Sequence, residues 1–108
     1  MGMITDAMRY RQLRGQRMDL NFKIQQIVSE KAELTKSGND LMRVGTDYDP
    51  DSPTMKMLKK RQEDLKILEE RLDQQMHEYQ TDLAMVEAEI NSCKDRLYSE
   101  IQSEMSYK

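Results

Sequence analysis

The chain has 108 residues, of which 34% are charged, 37% are hydrophobic and only 6% are aromatic, and its formal net charge is −3. This length allows at most one domain, and so low a hydrophobic fraction would hardly fill a compact core. The net negative charge argues against nucleic acid or an acidic membrane as the partner of the whole chain, and no apolar run approaches the roughly 20 residues that span a bilayer.

The first 15 residues, MGMITDAMRYRQLRG, lack the basic and uninterrupted apolar segments of a secretory signal peptide. The only cysteine, Cys93, can form no disulfide within the chain, so nothing indicates an oxidising compartment. We therefore expect a cytoplasmic protein. Export without a classical signal peptide is the alternative.

A seven-residue spacing of apolar side chains runs through the first part of the chain and predicts a helix, arm one, over residues 4–44. Two interleaved series carry the spacing: Leu13, Leu20, Ile27, Leu34 and Leu41, and Met3, Tyr10, Arg17, Ile24, Lys31 and Gly38. Glycine costs about 1 kcal/mol in a helix relative to alanine. The sequence therefore leaves open whether Gly38 breaks arm one.

The segment RYRQLRGQR, residues 9–17, concentrates basic side chains: Arg9, Arg11, Arg14 and Arg17. Such a basic patch, with Tyr10 interleaved, could bind phosphate or nucleic acid. The alternative is pairing with acidic residues elsewhere in the chain, which we prefer because the chain is acidic overall.

The segment DYDPDSP, residues 47–53, predicts a loop over residues 45–52. Its alternating aspartates (Asp47, Asp49 and Asp51) match the first ligands of a calcium-binding loop. The full pattern requires Gly at its sixth position and Glu at its twelfth, where this chain has Ser52 and Leu58. Ser52 followed by Pro53 instead predicts a helix start, with serine as the N-cap. We therefore expect a solvated bend and no metal.

A second helix, arm two, is predicted over residues 53–106, because no glycine or proline interrupts residues 54–108. Seven-residue spacing is again carried by two series: Leu58, Leu65, Leu72, Tyr79, Val86 and Cys93, and Met55, Gln62, Glu69, Met76, Leu83, Ile90 and Leu97. We therefore expect an all-α antiparallel helical hairpin, or coiled coil, with a long second helix, that forms oligomers.

Charge favours the antiparallel arrangement. Residues 1–31 carry six basic and three acidic side chains, whereas residues 78–108 carry three basic and seven acidic ones. Facing residues are expected to have numbers adding to about 96 rather than about 103, since the larger value leaves little room for a loop. This register would extend part of arm two beyond arm one: Leu97, Tyr98, Ile101, Met105 and Tyr107.

Other apolar residues lie outside the predicted contact line between the arms, among them Met8, Val28 and Met85. A lone hairpin with so thin a core would be marginal against the entropy of ordering its backbone. We therefore expect partners that are further copies of the chain or other helical proteins. The ten methionines suit an adaptable interface, although they could also fill an irregular core.

Residues suited to catalysis are scarce. The only histidine and the only cysteine, His77 and Cys93, would lie about 24 Å apart along one helix. No glycine-rich phosphate loop, serine–histidine–aspartate set or zinc-ligand spacing is present in the sequence. We expect neither an enzyme nor a cofactor.

The helical plan with a Pro-x-x-Pro bend, Pro50 and Pro53, resembles the needle subunits of type III secretion systems. This resemblance implies a helical hairpin that polymerises into filaments. The opening MGMITDAMRYRQLRGQRMDLNFKIQQI also resembles the start of uncharacterised bacterial coiled-coil proteins. We expect a non-enzymatic structural or assembly protein, with a coiled-coil adaptor or chaperone-like protein that holds a partner as the alternative and a nucleic-acid binder third.

Overall fold

The computed structural model describes residues 2–106, which form two long helices joined by a seven-residue loop. Helix α1 spans Met3–Gly45 and helix α2 spans Pro53–Ser106. Within residues 2–106 no strand is present. The chain is an all-α helical hairpin, which confirms this part of the predicted fold class.

Helix α1 continues without a break through Gly15 and Gly38. Neither glycine has a positive φ, and a Cβ built on either would meet no other atom within 4 Å. The question that the sequence left open at Gly38 is thus answered, because the good helix formers on both sides outweigh the local cost of glycine.

The start of α2 is capped by Ser52. Its Oγ accepts a hydrogen bond from the N–H of Met55 at 3.1 Å and donates one to the carbonyl oxygen of Asp49 at 2.9 Å. Pro53 is the first helical residue, where its missing N–H has no intrahelical acceptor to lose. The predicted N-cap and helix start are confirmed.

The hairpin divides into two compact units. The loop unit comprises Ile24–His77, and the terminal unit comprises the described residues up to Lys23 together with those from Glu78 onward. In the loop unit Ile27 and Leu58 are buried, and Lys31 forms an ion pair with Asp73. The hydrogen bond to Asp73 raises the pKa of the Lys31 ammonium, because it favours the charged form.

The terminal unit has a small apolar core of Leu13, Ile90 and Cys93, against which Tyr10 and Val86 pack. Beside this core, Nη2 of Arg9 lies 2.6 Å from Oε2 of Glu89. The contact line between the helices, hereafter the seam, follows the predicted seven-residue series. All the residues of these series are buried or half-buried except Glu69, which is exposed.

The predicted register is wrong. Leu13 packs with Ile90 in the terminal unit, and in the loop unit Gly45 lies next to Leu58. Both pairs have residue numbers that add to about 103, not about 96. The loop has room in this register because α1 continues to Gly45, which lies beside the second turn of α2. The end of α1 therefore does not have to face the first residue of α2.

Candidate functional site

The residues predicted to contact partners are mostly exposed. Six of them are solvent-accessible in the structure: Met8, Val28, Met85, Tyr98, Ile101 and Met105. Leu97 is half-buried, which corrects the expectation that it extends beyond arm one. The observed register is the reason, since Arg96, the residue before Leu97, reaches Asp6 at the start of α1. Tyr107 lies outside the described residues.

Two pairs of exposed apolar side chains lie on the side of α1 that faces away from α2. They are Ile4 with Met8 and Met18 with Phe22, whose exposed fractions lie between 62% and 77%. A helix turns by about 100° per residue, so these four side chains fall within an arc of about 80°, roughly opposite the seam residue Leu13. Exposed apolar side chains that share one face of a helix point to a surface for a partner, whereas single ones are normal.

Arg11 and Gly15 lie between these two pairs. With them the residues recur at intervals of four and three along α1: Ile4, Met8, Arg11, Gly15, Met18 and Phe22. We call this set the outer stripe of α1. Its alternating spacing is the one that a helix uses to pack along a second helix. Phe22 was missed as a site residue in the sequence, although the same spacing, counted on from Met8, would have found it.

A second exposed apolar cluster lies near the end of α2, in the same terminal unit. Tyr98, Ile101 and Met105 are 67%, 46% and 70% exposed. Their side chains fall within an arc of about 60°, with Ile101 about 40° and Tyr98 about 100° from the seam residue Leu97. All three side chains are accessible to solvent.

The four arginines of the basic patch are in different surroundings. Arg9 pairs with Glu89, and the guanidinium of Arg14 lies 5.7 Å from the centre of the Tyr10 ring. Arg17 is half-buried at a seam position. Within residues 2–106, Arg11 and Arg17 have no ion-pair partner. Some arginines of the basic patch thus contact residues of the terminal unit, whereas Arg11 lies on the exposed outer stripe.

One polar cluster is buried in the terminal unit. Asp6 is 2% exposed, and its Oδ1 accepts a hydrogen bond from Nε of Arg96 at 3.2 Å. Nη2 of the same arginine lies 3.2 Å from Sγ of Cys93, a buried free thiol. Arg96 thereby bridges a carboxylate and the apolar core. Asp6 lies seven residues before Leu13 and therefore occupies a seam position. The apolar series did not predict this position, because Asp6 is polar.

Asp6 has a second carboxyl neighbour, Glu100. Oδ2 of Asp6 and Oε2 of Glu100 are both buried and receive no hydrogen bond from the described residues. Burial raises the pKa of Glu100, and so do a hydrogen bond to the Asp6 carboxyl and the charge of Asp6, whereas Arg96 opposes the rise. Two ionised carboxylates are both acceptors and cannot form a hydrogen bond with each other. When Glu100 carries a proton, it can donate a hydrogen bond to Asp6.

The loop aspartates Asp47, Asp49 and Asp51 are exposed. Across the described part of the chain, no group of three or more histidine, cysteine, aspartate or glutamate side chains is placed to hold a metal ion. His77 is an exposed residue of the loop unit, and Cys93 is buried in the core of the terminal unit.

Comparisons with protein-family models, with curated proteins and with solved structures found no match. Neither helix, over the residues that the structure describes, contains a stretch long and apolar enough to cross a membrane.

Proposed function

We propose that this protein is a non-enzymatic structural subunit that assembles with further copies of itself through coiled-coil packing of its helices, as the subunits of a filament do. One observation carries the proposal. Five hydrophobic side chains are buried in the described hairpin, whereas the four apolar residues of the outer stripe of α1 are at least 62% exposed.

The energetics favour covering this stripe. Removing a large apolar side chain from water contributes about 1.5–3 kcal/mol. The four apolar side chains of the stripe and the cluster at the end of α2 each contribute on burial, and this gain opposes the entropy cost of association. A helix with the same alternating spacing is the natural cover, because it can interdigitate along the whole stripe.

The experiment is a measurement of molar mass by light scattering over a range of protein concentrations. Wild-type protein is expected to grow into particles much larger than a dimer. A double variant, Met18→Glu with Phe22→Glu, should stay small, since two charges on the stripe oppose its burial. Met42→Glu is the matched control: Met42 is also an exposed methionine of α1, but it lies in the loop unit outside the stripe. A wild-type protein that stays monomeric at all concentrations would contradict the proposal.

A second candidate function is that of a coiled-coil adaptor or chaperone-like protein that holds a partner. It is favoured by an open groove in the loop unit, lined by Leu34, Gly38, Met42, Gln62 and Leu65, where the missing side chain of Gly38 leaves space. A fixed small oligomer that does not grow with concentration would favour the adaptor over the filament subunit.

A further inference from the structure

The outer side of α2 has the same alternating spacing as the outer stripe of α1. Five exposed residues follow one another at intervals of four and three: Ala84, Ala88, Asn91, Asp95 and Tyr98. Met105, exposed as well, lies seven residues beyond Tyr98. We call this set the outer face of α2. At about 100° per residue Ala84, Ala88, Asn91 and Asp95 lie roughly opposite the seam residue Val86, whereas Tyr98 and Met105 lie about a third of a turn from it.

The two surfaces are complementary in size. The outer stripe of α1 is large at Met18 and Phe22, whereas the outer face of α2 is small at Ala84 and Ala88. In an antiparallel alignment whose paired residue numbers add to about 106, each residue of the outer stripe of α1 from Met8 to Phe22 faces a residue of the outer face of α2. This alignment forms five successive pairs: Phe22 with Ala84, Met18 with Ala88, Gly15 with Asn91, Arg11 with Asp95, and Met8 with Tyr98.

The surfaces are also complementary in charge. Arg11 is the charged residue of the outer stripe of α1, and Asp95 is that of the outer face of α2. Neither side chain has an ion-pair partner within residues 2–106. The alignment that matches large with small side chains also places Arg11 opposite Asp95.

Pairing of two copies through the stripe alone is less favourable. The stripe can align with its own copy in the antiparallel direction, which places Met8 on Met18. That alignment also brings two copies of Arg11 and two of Arg14 together at its centre, with no carboxylate at the paired positions. Like charges at such positions destabilise helix pairing and set the choice of partner.

We propose that the outer stripe of α1 in one copy packs antiparallel on the outer face of α2 in the next copy, with Arg11 paired with Asp95. This inference rests on the proposed self-assembly and names its surfaces. The contact joins two different surfaces, so every added copy leaves one of each unoccupied. A contact of this kind generates an open chain of subunits unless a rotation closes it into a ring.

A charge exchange tests the pairing. Arg11→Asp and Asp95→Arg, each alone, place like charges opposite each other and should weaken association at least about tenfold, as judged from the concentration at which particles grow. The double variant restores opposite charges in every contact and should assemble as wild-type protein does. Lys36→Asp is the matched control, because Lys36 is an exposed basic residue further along the same side of α1, in the loop unit. It should leave assembly unchanged.

The outcomes separate this inference from the proposed function. A wild-type protein that does not assemble at all overturns both. A wild-type protein that assembles while the double variant fails, or while the single variants assemble normally, overturns the pairing alone. Helicity measured by circular dichroism checks that each variant folds.

Cysteine cross-linking gives an independent measurement. A variant with Met18→Cys and Ala88→Cys should form a ladder of disulfide-linked oligomers under oxidation, because the two positions lie on opposite sides of their own hairpin and meet only between copies. Wild-type protein, whose single thiol is buried, should form no ladder. Oxidised double-cysteine protein that stays monomeric under conditions where wild-type protein assembles would overturn the pairing.

Discussion

Arg96 donates its Nε–H to Oδ1 of Asp6 across 3.2 Å, and this carboxyl is only 2% exposed. The arginine side chain is half exposed, so one end of the ion pair is solvated and the other is buried. A buried carboxylate depends strongly on its partner, because water cannot replace the lost hydrogen bond.

Replacing Arg96 by methionine should therefore lower the free energy of unfolding by about 1–3 kcal/mol, the cost of a buried polar group without its partner. Urea denaturation at neutral pH measures this loss. Adding Asp6→Leu to Arg96→Met should recover part of it, because the Asp6 carboxylate is then no longer buried without its partner, while the Glu100 carboxyl remains. A single variant as stable as wild type would mean that the ion pair contributes nothing.

The pKa of Glu100, raised chiefly by burial and then by Asp6, makes stability depend on pH. The folded protein holds this proton more tightly than the unfolded chain, so the stabilisation is complete below the ordinary value of 4.5 and is lost as pH rises through the folded value. Glu100→Gln keeps a hydrogen-bond donor at all pH values. The variant should be more stable than wild type at pH 7, and the difference should vanish near pH 4. Thermal unfolding at both pH values measures it, and an equal difference at both would contradict the shared proton.

The seam and the outer stripe should respond differently to the same kind of truncation. Leu13 is fully buried, so Leu13→Ala should cost about 2–5 kcal/mol in unfolding free energy. Met18, on the other side of the same helix, is 72% exposed. Met18→Ala should change the stability of the monomer by less than about 0.5 kcal/mol. Both values come from urea denaturation at low protein concentration, and similar losses would refute the observed orientation of α1.

The cap at the start of α2 gives a further prediction. Ser52→Ala removes the acceptor for the Met55 N–H and should cost about 1 kcal/mol. Ser29→Ala is the control, since Ser29 is exposed within α1 and alanine is the better helix former there. Denaturation should rank Ser52→Ala below wild type and Ser29→Ala at or slightly above it. The opposite order would argue against the cap.

Gly38 offers a stabilising change. A Cβ at this position meets no atom within 4 Å, and the backbone is ordinary helix. Gly38→Ala should therefore raise the unfolding free energy by up to about 1 kcal/mol. Gly15→Ala, in an equally open position, should give a similar gain. Loss of stability in Gly38→Ala alone would indicate that the seam needs the closer approach that glycine permits.

The seven-residue spacing predicted nearly all the seam positions, because burial in a helix pair follows geometry that a sequence displays directly. Glu69 was the exception. Its position fits the spacing, yet its side chain is exposed, since a carboxylate gains more from water than from an apolar neighbour.

The register was not predictable in the same way. Both alignments place polar residues such as Lys31 and Arg17 in the seam, and the choice depended on loop geometry, which spacing does not specify. The contact between the carboxyls of Asp6 and Glu100 was not predicted either. Counting seven residues back from Leu13 gives Asp6, and seven forward from Cys93 gives Glu100, but polar residues do not signal a seam.

The loop also has a kinetic consequence. Gly45 and Leu58 meet after closing a chain of about a dozen residues, whereas Arg9 and Glu89 are 80 residues apart and Asp6 and Arg96 are 90 apart. Closing a longer chain costs more entropy, and contacts near a turn form first. We expect the hairpin to fold by zipping from the bend outward, so that the outer stripe of α1 becomes ordered last. Newly made chains would then present the complete outer stripe of α1 only after the rest of the hairpin has formed.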